Sequence, residues 1–203
     1  MSLENNSFTP AQDGIRNAIM DASRDLFARF GYKKTTMEDI ALALRKGKSS
    51  LYYYFKNKDE IFQAVIALES DMLYGRLNEV VNSKVDTATK LKNYVFVRMD
   101  TVRSLSNYQR VIKEDLYGGG YDFLLPVRQK SELLEEEYLK QILDEGVNEG
   151  VFHVVNTRTG AIGIAMALKG LEIPLFRGDE NIEDFKLQLE NILNILFFGV
   201  MKR

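Results

Sequence analysis

Apolar residues return every three or four positions along most of the chain, the period of a helix packed on one side. The pattern begins after Thr9-Pro10-Ala11-Gln12, where a threonine N-cap, a proline in the first helical position and a glutamine three places on read as a capping box. Ile15, Ala18, Ile19, Ala22, Leu26, Phe27 and Phe30 follow at helical spacing, and Gly31 suits the left-handed position that ends a helix. Thr36-Met37-Glu38-Asp39 is a second start signal, opening a short helix with Ile40, Ala41 and Leu44 on its buried side. After Arg45-Lys46-Gly47-Lys48 a third short helix carries Ser49, Ser50, Leu51, Tyr52 and Phe55. Asn57-Lys58-Asp59-Glu60 caps a long helix running to about Val80.

Helical patterns resume at 86–105, 107–117, 121–149, 157–171 and 182–201, separated by the turn 82–86, by Gly118-Gly119-Gly120, by a loop marked by Gly146 and Gly150, and by a polar loop at 176–181. Alternating β-branched runs are almost absent, Val151 to Val155 being the nearest. The pattern predicts an all-α fold of about nine helices. It divides into three N-terminal helices over 9–57 and a larger helical domain over 58–203.

Composition narrows the chemistry. The 203 residues are 45% hydrophobic and 28% charged, as in a globular protein with a core. There is no cysteine and one histidine, His153, so disulfides, thiolate nucleophiles and Cys- or His-rich metal sites are not expected. Gly118-Gly119-Gly120 follows a helix and lacks the lysine-serine context of a phosphate loop, and no Ser-His-Asp set can be built around a loop histidine. We therefore expect no enzyme and no cofactor. The segment 1–10 is polar with no secretory apolar core, and no apolar run is long enough to span a bilayer. A cytoplasmic protein without a membrane partner is the expectation.

Net charge is -2, yet it is unevenly spread. From Gly31 to Lys58 there are seven basic residues (Lys33, Lys34, Arg45, Lys46, Lys48, Lys56, Lys58) against two acids (Glu38, Asp39), a local +5 that leaves -7 for the remainder. A basic patch on an acidic body is the footprint of a DNA reader. Two short helices joined by a tight turn are also the geometry of a helix-turn-helix, whose second helix enters the major groove. Charge alone would equally suit a solvated basic hairpin.

The order of residues adds to this. Ile19-x-x-Ala22, Leu26-Phe27, Phe30-Gly31-Tyr32, Thr35-Thr36, Asp39-Ile40-Ala41, Ser50-Leu51-Tyr52-x-Tyr54-Phe55 and Lys58-x-x-Ile61-Phe62 resemble the N-terminal DNA-binding domain of the TetR family of bacterial transcriptional repressors. The resemblance implies that Lys48, Ser49 and Ser50 face base edges. It implies phosphate contacts for Thr36, Tyr52 and Lys58, and a place near DNA for Tyr53; Lys46 is a further cation beside the groove. Leu51, Tyr54 and Phe55 are expected in the small core. One departure stands out: the family's turn usually reads Gly-Val-Ser, where this chain has Arg45, Lys46 and Gly47.

The same resemblance implies double-stranded DNA carrying a palindromic operator as partner, a homodimer, and release by a small-molecule inducer. Expected pocket residues are Tyr94, Phe96, Met99, Tyr108, Tyr117, Phe123, Tyr138 and Met166, adaptable apolar side chains that would also serve as plain core. The last two helices are unusually apolar, and Ile164, Leu168, Leu171, Leu189, Ile192, Leu193, Leu196 and Phe197 are expected at a dimer interface unless they form an ordinary buried core. Two alternatives stay open: activation instead of repression, and a helical protein-interaction module that kept the pattern and lost DNA binding.

Overall fold

The computed structural model describes residues 9–116, 121–175 and 182–198. Among these residues there are nine α-helices, one 3-10 turn and no strand. The order is α1 (Pro10–Phe30), α2 (Met37–Ala43), α3 (Lys48–Tyr52), α4 (Lys58–Val81), α5 (Thr87–Ser104), α6 (Ser106–Leu116), the 3-10 turn Asp122–Leu124, α7 (Leu125–Asn148), α8 (Thr157–Leu175) and α9 (Ile182–Phe198). The all-α expectation is met.

Caps fix the helix starts. The backbone N–H of Thr9 donates to Gln12 Oε1 at 2.8 Å and the Gln12 N–H donates to Thr9 Oγ1 at 3.4 Å. The same reciprocal pair recurs between Thr36 and Asp39, at 2.9 and 3.2 Å. These bonds hold the Asp39 carboxyl below its ordinary value. At α4 the Asn57 side chain accepts from the Glu60 N–H at 2.9 Å. Each such cap is worth about 1 kcal/mol.

The chain divides into two compact units. One holds the residues up to Met72 together with Leu105–Lys130; it therefore takes in the first half of α4, α6 and the start of α7 as well as the three N-terminal helices. Its core is Ile19, Phe27, Ile40, Leu51, Phe55, Ile61, Phe62, Val65 and Ile66, joined by Val111 and Leu124. Burying one such side chain is worth about 1.5–3 kcal/mol. Phe27 and Phe62 meet edge to face at 4.9 Å between centroids, and Tyr32, Tyr121 and Phe123 extend the aromatic cluster. Desolvation raises the Tyr32 and Tyr121 hydroxyls above their ordinary values, and Asp59 and Glu114 respectively add to it as acceptors.

Polar contacts tie α6 into this unit. Glu69 is buried and accepts from Arg24 Nε at 3.0 Å, from Asn107 Nδ2 at 3.0 Å and from the Tyr108 N–H at 2.8 Å. Arg110 donates to the carbonyls of Phe27 and Ala28 at 3.1 and 3.2 Å, where α1 ends. A side chain at Gly31 would strike this guanidinium, its Cβ lying 2.6 Å from Nη1.

The second unit comprises Leu73–Ser104 and the chain from Ser131 on. Leu73, Tyr74, Leu77, Val81, Leu91, Tyr94, Val95, Met99, Val102, Leu139, Ile142, Leu143, Ala161, Leu168, Leu189 and Leu193 are its buried apolar residues among those described. Arg98 is equally buried and is gripped by two carboxylates, Glu135 at 2.5 Å and Glu172. Sequence reading placed Gly146 in a loop, but α7 continues through it to Asn148. Gly146 is required for a different reason: a Cβ there would lie 2.1 Å from the Phe152 ring.

Candidate nucleic-acid interface and ligand cleft

The five residues of α3 sit between a tight turn and α4. Leu51 is wholly buried and anchors the helix, with Phe55 buried beyond it and Tyr54 half-buried. The opposite side carries Lys48 and Ser49, both exposed, half-buried Ser50, Tyr52 and Tyr53. Tyr52 and Tyr53 are 46% and 64% exposed, far more than core aromatics, so their rings are presented outward. The Tyr53 hydroxyl accepts from Gln12 Nε2 at 2.9 Å, which fixes its direction.

The turn has a defined hydrogen-bond pattern. The Arg45 N–H donates to the Leu42 carbonyl and the Lys46 N–H to the Ala41 carbonyl, both at 3.0 Å. This is a Schellman motif, whose C′ residue is left-handed. Arg45 takes that position at φ 53°, while Gly47 lies at φ -71° as the N-cap of α3. The displaced glycine therefore does not serve the left-handed position; the arginine does.

The basic residues of this region fall into two groups. Lys48 pairs with Glu38 of α2 and lies 5.8 Å from the Tyr52 ring centre. That hydrogen bond lowers the Glu38 carboxyl and raises the Lys48 ammonium from their ordinary values. Lys58 donates to the carbonyls of Tyr32 and Thr35, both at 2.9 Å, and lies 4.3 Å from the Tyr32 ring centre. An ammonium has three donors, so one of its N–H groups remains for an outside acceptor. Lys33, Lys34, Arg45, Lys46 and Lys56 are exposed. Thr36 is exposed as well, its hydroxyl donating to Asp39 at 2.7 Å.

The second unit contains a cleft of about 710 Å³ lined by Leu91, Val95, Leu143, Val147, Ile164, Leu168 and Leu193, with Phe152 and His153 from the loop after α7. This volume lies in the range of small-molecule pockets. Of the eight expected pocket residues, Tyr94 and Met99 are buried, and Phe96 and Tyr138 half-buried, in this unit. Met166 is 69% exposed. Tyr108 and Phe123 pack instead against the core of the other unit. Tyr117 lies outside the described residues. The cleft lining is mainly aliphatic, Phe152 and His153 apart, and none of the eight expected residues is among the described residues that form it.

Of the residues expected at a dimer interface, Leu168, Leu189 and Leu193 are buried within the chain, and Ile164, Leu171 and Ile192 are half-buried. The side chains of Leu196 and Phe197 lie outside the described residues. Among the described residues, the large apolar side chains that α8 and α9 leave open are Ile162, Met166, Leu187 and Ile195. Among the described residues no group of His, Cys, Asp and Glu could hold a metal ion, and no helix is long and apolar enough to cross a membrane.

Comparison with known proteins agrees with this geometry. Residues 19–65 match the family model of bacterial regulatory proteins, tetR family. The chain is 28% identical over 150 residues to the HTH-type transcriptional repressor KstR2 of Rhodococcus jostii (strain RHA1), covering 71% of both chains. A solved transcriptional regulator from Cytophaga hutchinsonii is 26% identical with a TM-score of 0.73, covering 91% of this chain and 97% of that one. The regulator FadR of Bacillus subtilis, solved in complex with stearoyl-CoA, is 20% identical with a TM-score of 0.75, covering 91% and 99%.

Proposed function

We propose that this chain, which belongs to the tetR family of bacterial regulatory proteins and is a DNA-binding transcriptional regulator, represses from a palindromic operator as a homodimer and is released by a small molecule. One observation carries the reading: α3 is anchored by Leu51 while Lys48, Ser49, Tyr52 and Tyr53 are left outward, beside exposed cations. Cations fix the register on phosphates, and the small polar residues are free to meet base edges. A two-fold dimer would set two such helices about 34–36 Å apart, one turn of the duplex. The open side chains of α8 and α9, Ile162, Met166, Leu187 and Ile195, are the patch that a second copy would cover.

The aliphatic cleft supports a ligand with a long apolar body. The stearoyl-CoA held by the Bacillus subtilis regulator of the same fold makes a fatty acyl thioester the first compound to try. A ligand shifts the equilibrium only by its differential affinity for two conformers. Helix α4 is continuous from the head's Lys58 to Val81 in the cleft-bearing unit, and we assign it the role of lever.

The test is binding of the purified chain to duplex DNA from upstream of its own gene, against scrambled duplex, across salt, with and without stearoyl-CoA. Selective binding with a steep salt slope, lost on adding the thioester, is expected. Equal weak binding to both duplexes, followed by no enrichment from a random duplex library, would refute the regulator reading in favour of a protein-interaction module.

A further inference from the structure

Two helices of this chain end in the same motif with different residues at its critical position. At the end of α7 the Gly150 N–H donates to Val147 and the Val151 N–H to Gly146, at 3.1 and 2.8 Å. At the end of α2 the Arg45 and Lys46 N–H groups donate to Leu42 and Ala41 in the same pattern. The left-handed residue is Gly150 at φ 72° in one and Arg45 at φ 53° in the other. Glycine adopts this conformation without hindrance, whereas a side chain there costs about 1–2 kcal/mol from contact between Cβ and the following carbonyl.

The turn's two hydrogen bonds would form equally with glycine there, so they do not account for the side chain. The Arg45 side chain is exposed and takes part in no hydrogen bond, ion pair or ring contact among the described residues. An outlier retained without internal compensation points to work done outside the chain. Its setting says what kind. Arg45 lies three residues before α3, and neighbouring Lys48 is held by Glu38 while Lys58 is held by two carbonyls. Arg45 and Lys46 are thus the uncommitted cations of the turn. A guanidinium is always charged and presents a planar fork of donors that fits two phosphate oxygens.

We propose that Arg45 is a phosphate clamp, gripping the DNA backbone beside the groove that α3 enters. It holds its place by side-chain chemistry against the backbone preference for glycine. The proposal rests on the DNA-binding reading above.

The test uses the full chain and a labelled mixed-sequence 24-bp duplex, because a phosphate contact is indifferent to sequence. Wild type, R45G and R45K are titrated between 50 and 200 mM KCl, and their melting temperatures are measured. One lost phosphate contact lowers the slope of log K against log salt by about 0.9, so the advantage of wild type over R45G should shrink about 3.5-fold across that range. R45K should keep the slope with weaker binding, as a point charge without the fork. R45G should melt no lower than wild type. Wild-type binding with an R45G slope equal to it, or a lower R45G melting temperature, overturns the proposal while leaving the DNA reader standing. Wild type without salt-dependent binding overturns both.

Discussion

Glu69→Ala is the substitution through which the reading-head unit is best tested. Glu69 stands on the apolar stripe of α4, between Ile66 and Leu73, and is 1% exposed. Its carboxylate meets three donors on three segments: Arg24 of α1, the Asn107 side chain and the Tyr108 N–H in the first turn of α6. Removing it strips the α6 N-terminus of a capping acceptor, worth about 1 kcal/mol. It also leaves Asn107, itself 1% exposed, with one amide hydrogen still bonded to the Arg24 carbonyl at 3.1 Å and the other stranded, at about 1–3 kcal/mol. The Arg24 guanidinium is about a third exposed and regains water, so its share is small. Together these give a loss of about 2–4 kcal/mol, overlapping the range for breaking one partner of a buried charged pair. For a chain of this size that lowers the melting temperature by about 4–16 °C. Arg24→Met should cost less than Glu69→Ala, since the carboxylate keeps two donors in Asn107 and the Tyr108 N–H. Circular dichroism with urea titration measures both. A Glu69→Ala loss below 1 kcal/mol, or an equal loss for Arg24→Met, would refute the view that the carboxylate organises α6 as well as balancing one arginine.

Two further outcomes follow from the cleft-bearing unit. Gly146→Ala forces the new methyl into the Phe152 ring and should destabilise by about 1–2 kcal/mol, overpacking outweighing the better helix propensity; the double variant Gly146→Ala/Phe152→Ala should be no less stable than Phe152→Ala alone, which a thermal-melt cycle checks. Glu172 is fully buried, desolvation lifts its carboxyl above the ordinary value against the pull of Arg98, and Glu135 and Lys169 add smaller opposing effects. A carboxyl raised on folding keeps its contribution in acid and loses it as pH rises through the raised value. Glu172→Gln should therefore melt above wild type at pH 8, with the gap closing as pH falls into the ordinary carboxylate range; a gap constant from pH 4 to 8 would show that Glu172 does not titrate with folding.

Helix positions were legible because their signals are local. Thr9 with Gln12, Thr36 with Asp39 and Asn57 with Glu60 each lie three residues apart, and the structure closes all three caps. Gly146 misled because a helix-interior glycine demanded by a distant ring looks, in sequence, like a helix breaker. The cleft was not legible for a related reason. Leu91, Val95, Leu143, Val147 and Leu168 have the same spacing whether they face a void or one another, so periodicity finds the stripe and not the gap. The aromatic residues that looked like lining were divided between two units, with Tyr108 and Phe123 closing the head's own core.

Buried charges left a signal that can be read in retrospect. Glu69 follows Phe62, Val65 and Ile66 on one stripe, and Arg98 follows Leu91, Tyr94 and Val95 on another. A charge on an apolar stripe has to find partners, because leaving it alone in the core is too costly to fold. Neither partner set was predictable, since Glu69 reaches Arg24 and α6, and Arg98 reaches Glu135 and Glu172, across large sequence separations. Each cluster leaves one buried oxygen without a hydrogen-bond partner among the described residues. Both oxygens of Glu69 are bonded, and there it is Asn107 Oδ1 that lacks a partner; in the Arg98 cluster it is Glu172 Oε2. Leu168, one helical turn before Glu172 on α8, lines the cleft, and so does Val95, about one turn before Arg98 on α5. The Arg98 cluster is thus carried by the two helices that also line the cleft, about one turn away from it.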